Sequence, residues 1–482
     1  MAEPSLRRRA VEGSLYLTAR RLLGIGLSTA GLLLMTRLVG PENYGLFAAA
    51  LGLNNYLLTL AQMGIRVYLM RSEDTPKLWH QAFWWLLLWS ASLTAFALIG
   101  LAVAQQFWIR TEGFMAVASA ICLGLPFTAA AVAPQTRLER DLRYRRIAVL
   151  ELSAQASGYA VGIPLAQLGY GVWALVASYW ATVLVSAGGA FVSARYRPRW
   201  YWNAAERRAM VRFGVAQGAS QWLYFSKDLL PAMILLPLGG KEAVGHYALA
   251  TRLLEMLNFA PITIRRVADP VYARLQHEPT KLLRAMYLSS SAQMLALGAT
   301  CLPFIVAGWY VLPLAFGAQW QIPIVLATMA LLTAEQLLSA VFITQAQALG
   351  IVGRPRVVAW FAAIFVPHLA AATALAVWLA PSKWASVAYA AAYYWAHLPN
   401  NWQLHHAVRR YIGQPVYGMS LLWAIALGVA MFAPLAYYLP LLALGVFALP
   451  QSRHALRDII HELRAARNPK QGGEDHHATT AD

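Results

Sequence analysis

The chain has 482 residues, of which 59% are apolar and only 12% are Asp, Glu, Lys or Arg, and it carries a net charge of +18. Soluble domains hold about 25% charged residues, and no stretch here is long and polar enough to be one, so a soluble multi-domain protein is excluded. Apolar blocks of the ~20 residues that a bilayer crossing needs recur along the chain, which dictates an all-α, polytopic membrane fold.

In chain order, hydropathy places spans at 15–39, 44–69, 80–105, 113–134, 147–168 and 171–193. A second series follows at 212–238, 243–266, 287–312, 321–349, 356–380 and 384–408, then two shorter spans at 416–433 and 435–450, interrupted by Pro434 and Pro440. About 14 transmembrane helices are expected. Arg7, Arg8, Arg9, Arg20 and Arg21 precede the first span without an Ala-x-Ala cleavage site, so that span is expected to be retained. Cys122 and Cys301 sit inside apolar blocks with no CxxC pair, so zinc and redox chemistry have no support.

Basic residues set the orientation. With the N-terminus cytoplasmic, 32 of the 39 Lys and Arg fall in cytoplasmic segments. Only Arg37, Arg110, Lys241 and Lys383 fall outside, and Arg66, Lys227 and Arg252 fall within spans. An even number of spans with both termini cytoplasmic follows. The positive charge is then topological, and the basic loops lie against anionic membrane lipids; nucleic acid is not an expected partner. The polar tail beyond Lys470, with His476 and His477, reads as disordered.

The chain also repeats itself. The pattern GxExxGxFAxA starting at Gly40 recurs as GxExxGxYAxA starting at Gly240, an offset of 200. Arg143-x-Arg145 pairs with Arg354-x-Arg356, and WAxVA starting at Trp173 pairs with the same pattern starting at Trp384, both at an offset of 211. Each match sets one span against the sixth one after it, so two six-helix halves share one orientation, an arrangement found in transporters. The expected organisation is an N-terminal bundle (1–195), a cytoplasmic linker (196–211), a C-terminal bundle (212–410), two accessory helices (411–450) and a cytoplasmic tail (451–482).

Several segments resemble the oligosaccharide flippases of the multidrug/oligosaccharidyl-lipid/polysaccharide (MOP) exporter superfamily. They are RLVGPENYGLF at 37–47, LRYRRI at 142–147, GYGVW at 169–173, GHYA at 245–248, PVYARL at 270–275 and FGAQW at 316–320. They stand in the family's order over roughly 1–360; the last third matches mainly in hydropathy. The resemblance implies a MATE-like fold, with two parallel six-helix bundles around a central cavity plus two accessory helices. It also implies alternating access, undecaprenyl-diphosphate oligosaccharide as substrate, and a place beside the polymerase and chain-length machinery of surface polysaccharide assembly. The nearest likeness is to exporters of colanic-acid type. Two positions depart from the pattern: Asp269 replaces a frequent aromatic, and Asp228 lies a turn before the acidic position near Pro231.

Flipping breaks no covalent bond, but a diphosphate needs Arg or Lys, and charges inside a membrane usually face a cavity. Lys227 and Asp228 lie in the seventh span, as a substrate contact and its modulator or as partners of neighbouring helices. Arg252 and Glu255, three residues apart on one helix face, either meet substrate or neutralise each other. Arg66 either meets substrate or snorkels. Arg20 and Arg21 could receive the headgroup at the inner mouth or serve as positive-inside residues. Glu335 is a candidate coupling carboxylate, as is Glu255; a structural hydrogen-bonding role is the alternative for Glu335. Arg37 reads as an interfacial anchor. Pro367-His368 and Pro399-Asn400-Asn401 read as breaks in the eleventh and twelfth spans. Neither HExxH nor GxxxxGK[ST] occurs, so no metal, cofactor or enzymatic reaction is expected. A cation or drug antiporter of the same superfamily and a non-transporting scaffold are the competing readings.

Overall fold

A computed structural model describes residues 6–433, 436 and 438–467, and the described residues form helices without strands. The tail beyond Lys470 and its histidine pair lie outside them. In order the helices are α1 (Leu6–Gln62), α2 (Ile65–Arg71), α3 (Pro76–Phe107), α4 (Phe114–Cys122), α5 (Leu125–Ala130), α6 (Val132–Arg140), α7 (Tyr144–Gln167), α8 (Val172–Ser193) and α9 (Ala204–Phe225). Then come α10 (Leu236–Leu257), α11 (Phe259–Leu275), α12 (Pro279–Phe316), α13 (Ile322–Ile351), α14 (Pro355–Leu379), α15 (Ala385–Tyr411), α16 (Ser420–Ala430), α17 (Leu439–Ala448) and α18 (Pro450–Arg467).

Seven helical stretches are long and apolar enough to cross a membrane, the first of them the 46-residue run Gly26–Arg71. Together they cover the predicted spans 1–4, 6 and 9–11. The other long spans fall on α7, α9–α11 and α15, whose hydropathy is lowered by the residues of interest, among them Glu151, Lys227, Asp228, Arg252, Glu255 and His397. Large apolar side chains face outward on the apolar helices, such as Phe96, Ile99 and Val103 on α3. That surface is stable only against lipid.

The structure corrects several boundaries. The first two spans are two helical segments of α1 that meet at a kink at Gly40, as expected, and its φ of 82° and ψ of 167° are open to glycine and costly for other residues. The second span ends early, at Gln62, and a positive-φ turn at Met63–Gly64 leads into α2. The seventh span is not one continuous helix, and the eighth is divided at Asn258 between α10 and α11. Conversely, α14 and α15 run through Pro367 and Pro399 without the expected breaks; a proline in a spanning helix is tolerated where neighbours satisfy the freed carbonyl. The region expected to be tail begins with the helix α18.

Two compact units are formed. The first holds the chain up to Ala250 together with Val311–Val325 and Ala362–Ala392. Its tightest seam is α7 against α8. Ala154, Gly158, Gly162 and Ala166 repeat every four residues along α7 and are buried, and Gly158 and Gly162 lie so close to Ser178 and Thr182 that a Cβ would collide with them. Between membrane helices, where hydrophobic driving force is lacking, such close backbone approach supplies the packing energy. An aromatic cluster of Trp79, Phe83 and Tyr196 is part of the core of this unit.

The second unit holds Thr251–Tyr310, Leu326–Phe361 and the described residues from Tyr393 on. Its core joins Tyr272 of α11, Leu282 of α12, Leu349 of α13 and Leu404 of α15. Small residues again set a seam, here Ala426 and Ala430 of α16 against Ala443 of α17.

The repeat is visible in backbone geometry. Gly240 has φ 87° and ψ 173°, matching Gly40 within a few degrees, and both kink a helix at the same motif position. The two motifs also meet reciprocally. A Cβ on Gly45 would strike the carbonyl of Lys241, and one on Gly245 would strike the carbonyl of Pro41. A pair of contacts in which each motif gives what it receives is the mark of a local two-fold relation. At the other offset, the amides of Trp173 and Trp384 close matching turns onto Tyr170 and Pro381.

Candidate functional site

Two of the family-like segments, RLVGPENYGLF and FGAQW, are bonded to each other. The Trp320 indole donates to the Thr36 carbonyl at 3.1 Å, the Gln319 amide donates to the Arg37 carbonyl, and Gln321 donates to Glu242 at 2.8 Å. They tie the FGAQW segment to the two glycine kinks. Arg37, with its guanidinium 3.5 Å from the Leu314 carbonyl, belongs to this clasp, in keeping with its reading as an anchor. Asn54 likewise makes an interhelical bond, to the Tyr179 hydroxyl at 3.3 Å.

Lys227 and Asp228 occupy the most irregular backbone in the first unit. After α9 the chain tightens into a 3₁₀ turn, Ser226–Leu229, then widens into a π-helical turn, Pro231–Leu235, before α10. Pro231 accounts for this: it lacks an N–H, and its ring excludes the carbonyl four residues earlier, that of Lys227, from a regular turn. The Met233 carbonyl, whose partner four residues on is Pro237 and so offers no N–H, accepts instead from the Trp108 indole at 2.5 Å. Gly52 of α1 packs directly on the Asp228 carbonyl. Lys227 Nζ lies 2.9 Å from Asp228 Oδ1 and 5.2 Å from the centre of the Tyr224 ring. The lysine is the more buried of the two. The pair thus sets a cation and a carboxylate side by side at the helix break.

Arg66, Arg252, Glu255 and Glu335 are also paired, each within its own unit. Arg66 on α2 makes a two-pronged ion pair with Glu139 on α6; Arg140, the next residue, donates to the Leu69 and Ser72 carbonyls at 2.7 and 2.8 Å. Glu139 and Arg140 together hold α2 in place, and Arg66 is part of that fastening. Arg252 and Glu255 pair at 3.1 Å along α10, both well exposed. Arg20 and Arg21 fall on α1, where their side chains lie outside the described part.

Glu335, on α13, is buried. It accepts from Ser339 Oγ at 2.5 Å and stands 3.5 Å from His397 Nε2 on α15. His397 is also buried, and its Nδ1 lies 2.8 Å from the Tyr393 carbonyl. A carbonyl only accepts, so Nδ1 carries a hydrogen. The sequence reading does not single out His397, although a histidine three residues before Asn400, inside an apolar span, was the available signal. It also passes over Glu139 and over Glu151, whose Oε2 is buried on α7. The described residues contain no cluster of three metal-ligating side chains.

A chain whose described residues are helical, with apolar outward faces and an internal repeat, is a multi-pass membrane protein, and its fold is that of the MOP exporters. Two solved structures share it. One is titled "Lipid II flippase MurJ, inward closed conformation", with a TM-score of 0.67 and 12% identity, covering 93% of this chain and 100% of that one. The other is an inward-facing MATE multidrug transporter of the MOP superfamily, with a TM-score of 0.54 and 14% identity, covering 87% of this chain and 98% of that one.

The chain belongs to the family described as "Polysaccharide biosynthesis protein", which matches residues 34–325. A curated relative, the succinoglycan biosynthesis transport protein ExoT of Rhizobium meliloti (strain 1021), is 22% identical over 306 residues, 61% of this chain. The match spans 60% of that relative's length.

Proposed function

We propose that the chain flips an undecaprenyl-diphosphate-linked oligosaccharide from the cytoplasmic to the periplasmic face of a bacterial inner membrane, supplying surface polysaccharide synthesis. Both termini are cytoplasmic in this reading, and the six-helix halves at 1–195 and 212–410 alternate access. The observation that carries it is the Lys227–Asp228 pair at a broken spanning helix. A lysine whose counter-ion is its own neighbour can exchange that carboxylate for a diphosphate without being left unpaired in a low dielectric. Family membership, the succinoglycan transport relative and the lipid-flippase fold support the substrate class.

Depletion of the protein in its host tests this. Mass spectrometry should find a complete lipid-linked repeat unit accumulating while surface polymer is lost. Normal polymer with no accumulation, in a strain lacking other flippases, would sink the assignment.

The second reading, a small-molecule or cation antiporter, is favoured by one feature. The buried Glu335 and His397 side chains, 3.5 Å apart, suit proton exchange. They also suit a flippase driven by a proton gradient, so transport of the lipid-linked sugar decides between the two readings.

A further inference from the structure

A second site lies at one end of α7 and α8, where a groove of about 580 Å³ opens between the helices. Arg145 and Arg146 stand in the first turn of α7, and Arg195 lies just past the end of α8; all three line the groove. Deeper along the same helices its lining turns apolar, through Val149, Val192 and Val185. Val149 and Val192 are 61% and 77% exposed, so the apolar part is open at the side where a spanning helix meets hydrocarbon.

Arg146 and the backbone of Arg195 are held by the helix ends. Arg146 Nη1 donates to the Ser193 carbonyl at 2.8 Å, joining the start of α7 to the end of α8. Arg195 has φ 50° and closes α8 with paired reverse bonds, its own amide to Val192 at 3.0 Å and that of Tyr196 to Phe191 at 2.9 Å. Glycine usually takes this position; here the chain keeps an arginine at it.

We infer that this groove binds one anionic phospholipid of the adjoining leaflet, its phosphate on the guanidinium groups of Arg145 and Arg195 and an acyl chain along the valines. Clustered guanidinium groups suit phosphate oxygens, and basic pockets between spanning helices suit anionic headgroups. A free phosphate would use the arginines and leave the open apolar half of the groove unfilled. None of the charges proposed for transport lines the groove, so the inference stands or falls apart from the flippase reading.

The full chain, purified in detergent, is titrated with phosphatidylglycerol, phosphatidylcholine and inorganic phosphate, and bound molecules are counted by native mass spectrometry. One phosphatidylglycerol should be retained per chain in preference to phosphatidylcholine, and inorganic phosphate should not displace it. Arg145→Gln and Arg195→Gln should each weaken retention about fivefold. Ser153→Trp, which fills the groove and keeps every charge, should weaken it as well, with helicity by circular dichroism unchanged in all three variants. Equal retention of both lipids, or undiminished binding in the arginine variants, overturns the proposal. Displacement by phosphate would make this a small-anion site, and preferential retention of a polyprenyl diphosphate would make it a substrate site; either overturns the phospholipid assignment.

Discussion

The two helices that lead into the glycine kinks occupy equivalent places in the repeat, yet they differ where it matters. Ahead of Gly40, α1 is an uninterrupted helix. Ahead of Gly240, the chain breaks into 3₁₀ and π turns. At the repeat offset of 200, Leu27, Ser28 and Gly31 stand where the second half has Lys227, Asp228 and Pro231. In the first half these places serve packing: Ser28 accepts from Gln155, and Gly31 makes room for the Tyr159 ring. The fold thus accepts a plain helix at this position. The break and its charges are additions of the second half, which is where a function beyond folding is to be sought.

The comparison can be broken most severely at the glycine crossing. Gly45→Val or Gly245→Val drives a side chain into the partner motif's backbone, a cost of about 3 kcal/mol that flexible neighbours cannot relieve. Both should abolish monodisperse protein on size-exclusion chromatography; a well-folded variant would remove the crossing from the fold's foundations. Next in size is Lys227→Ala. A charge-assisted contact contributes about 1.5–3 kcal/mol, so surface polymer should fall at least about tenfold at normal membrane levels. Leu27→Ala, its repeat counterpart, should leave export intact.

Pro231→Ala sharpens the contrast from the backbone side. Restoring an N–H should let the helix heal, raising the melting temperature while lowering transport; unchanged transport would mean that the break only accommodates packing. Gly40→Ala and Gly240→Ala should each cost about 1–3 kcal/mol, nearly equally, since their backbone angles match; a large inequality in thermal unfolding would argue against equivalence. The smallest effect is expected at Arg66, whose ion pair with Glu139 is substantially exposed. Arg66→Gln and Glu139→Gln should each change stability by no more than about 1 kcal/mol. Loss of export in the arginine variant alone would return Arg66 to the substrate path.

The membrane fold and the repeat were legible because each rests on a pattern that survives without three dimensions. A run of ~20 apolar residues needs no context, and Gly40 and Gly240 repeat because the same left-handed turn is needed twice. The break at Lys227 was half legible. Pro231 and the adjacent charges are in view, but similar prolines at 367 and 399 leave their helices whole, so a proline alone does not tell which helix breaks. Pairing was the least legible. Glu139 lies 73 positions from Arg66 and His397 lies 62 from Glu335, and no local periodicity reports contacts of that range. Arg66 drew attention as a charge in a span, while the carboxylate that occupies it sat in an unremarked basic segment.

The central claim is that the second half's broken helix handles a lipid diphosphate, and reconstitution tests it most directly. Proteoliposomes holding the chain and a lipid-linked oligosaccharide would be scored for movement of the sugar behind the bilayer, away from a membrane-impermeant reagent. The account predicts movement with the wild type and with Leu27→Ala, and none above protein-free vesicles with Lys227→Ala. Equal movement with Lys227→Ala, or none with the wild type, would contradict it.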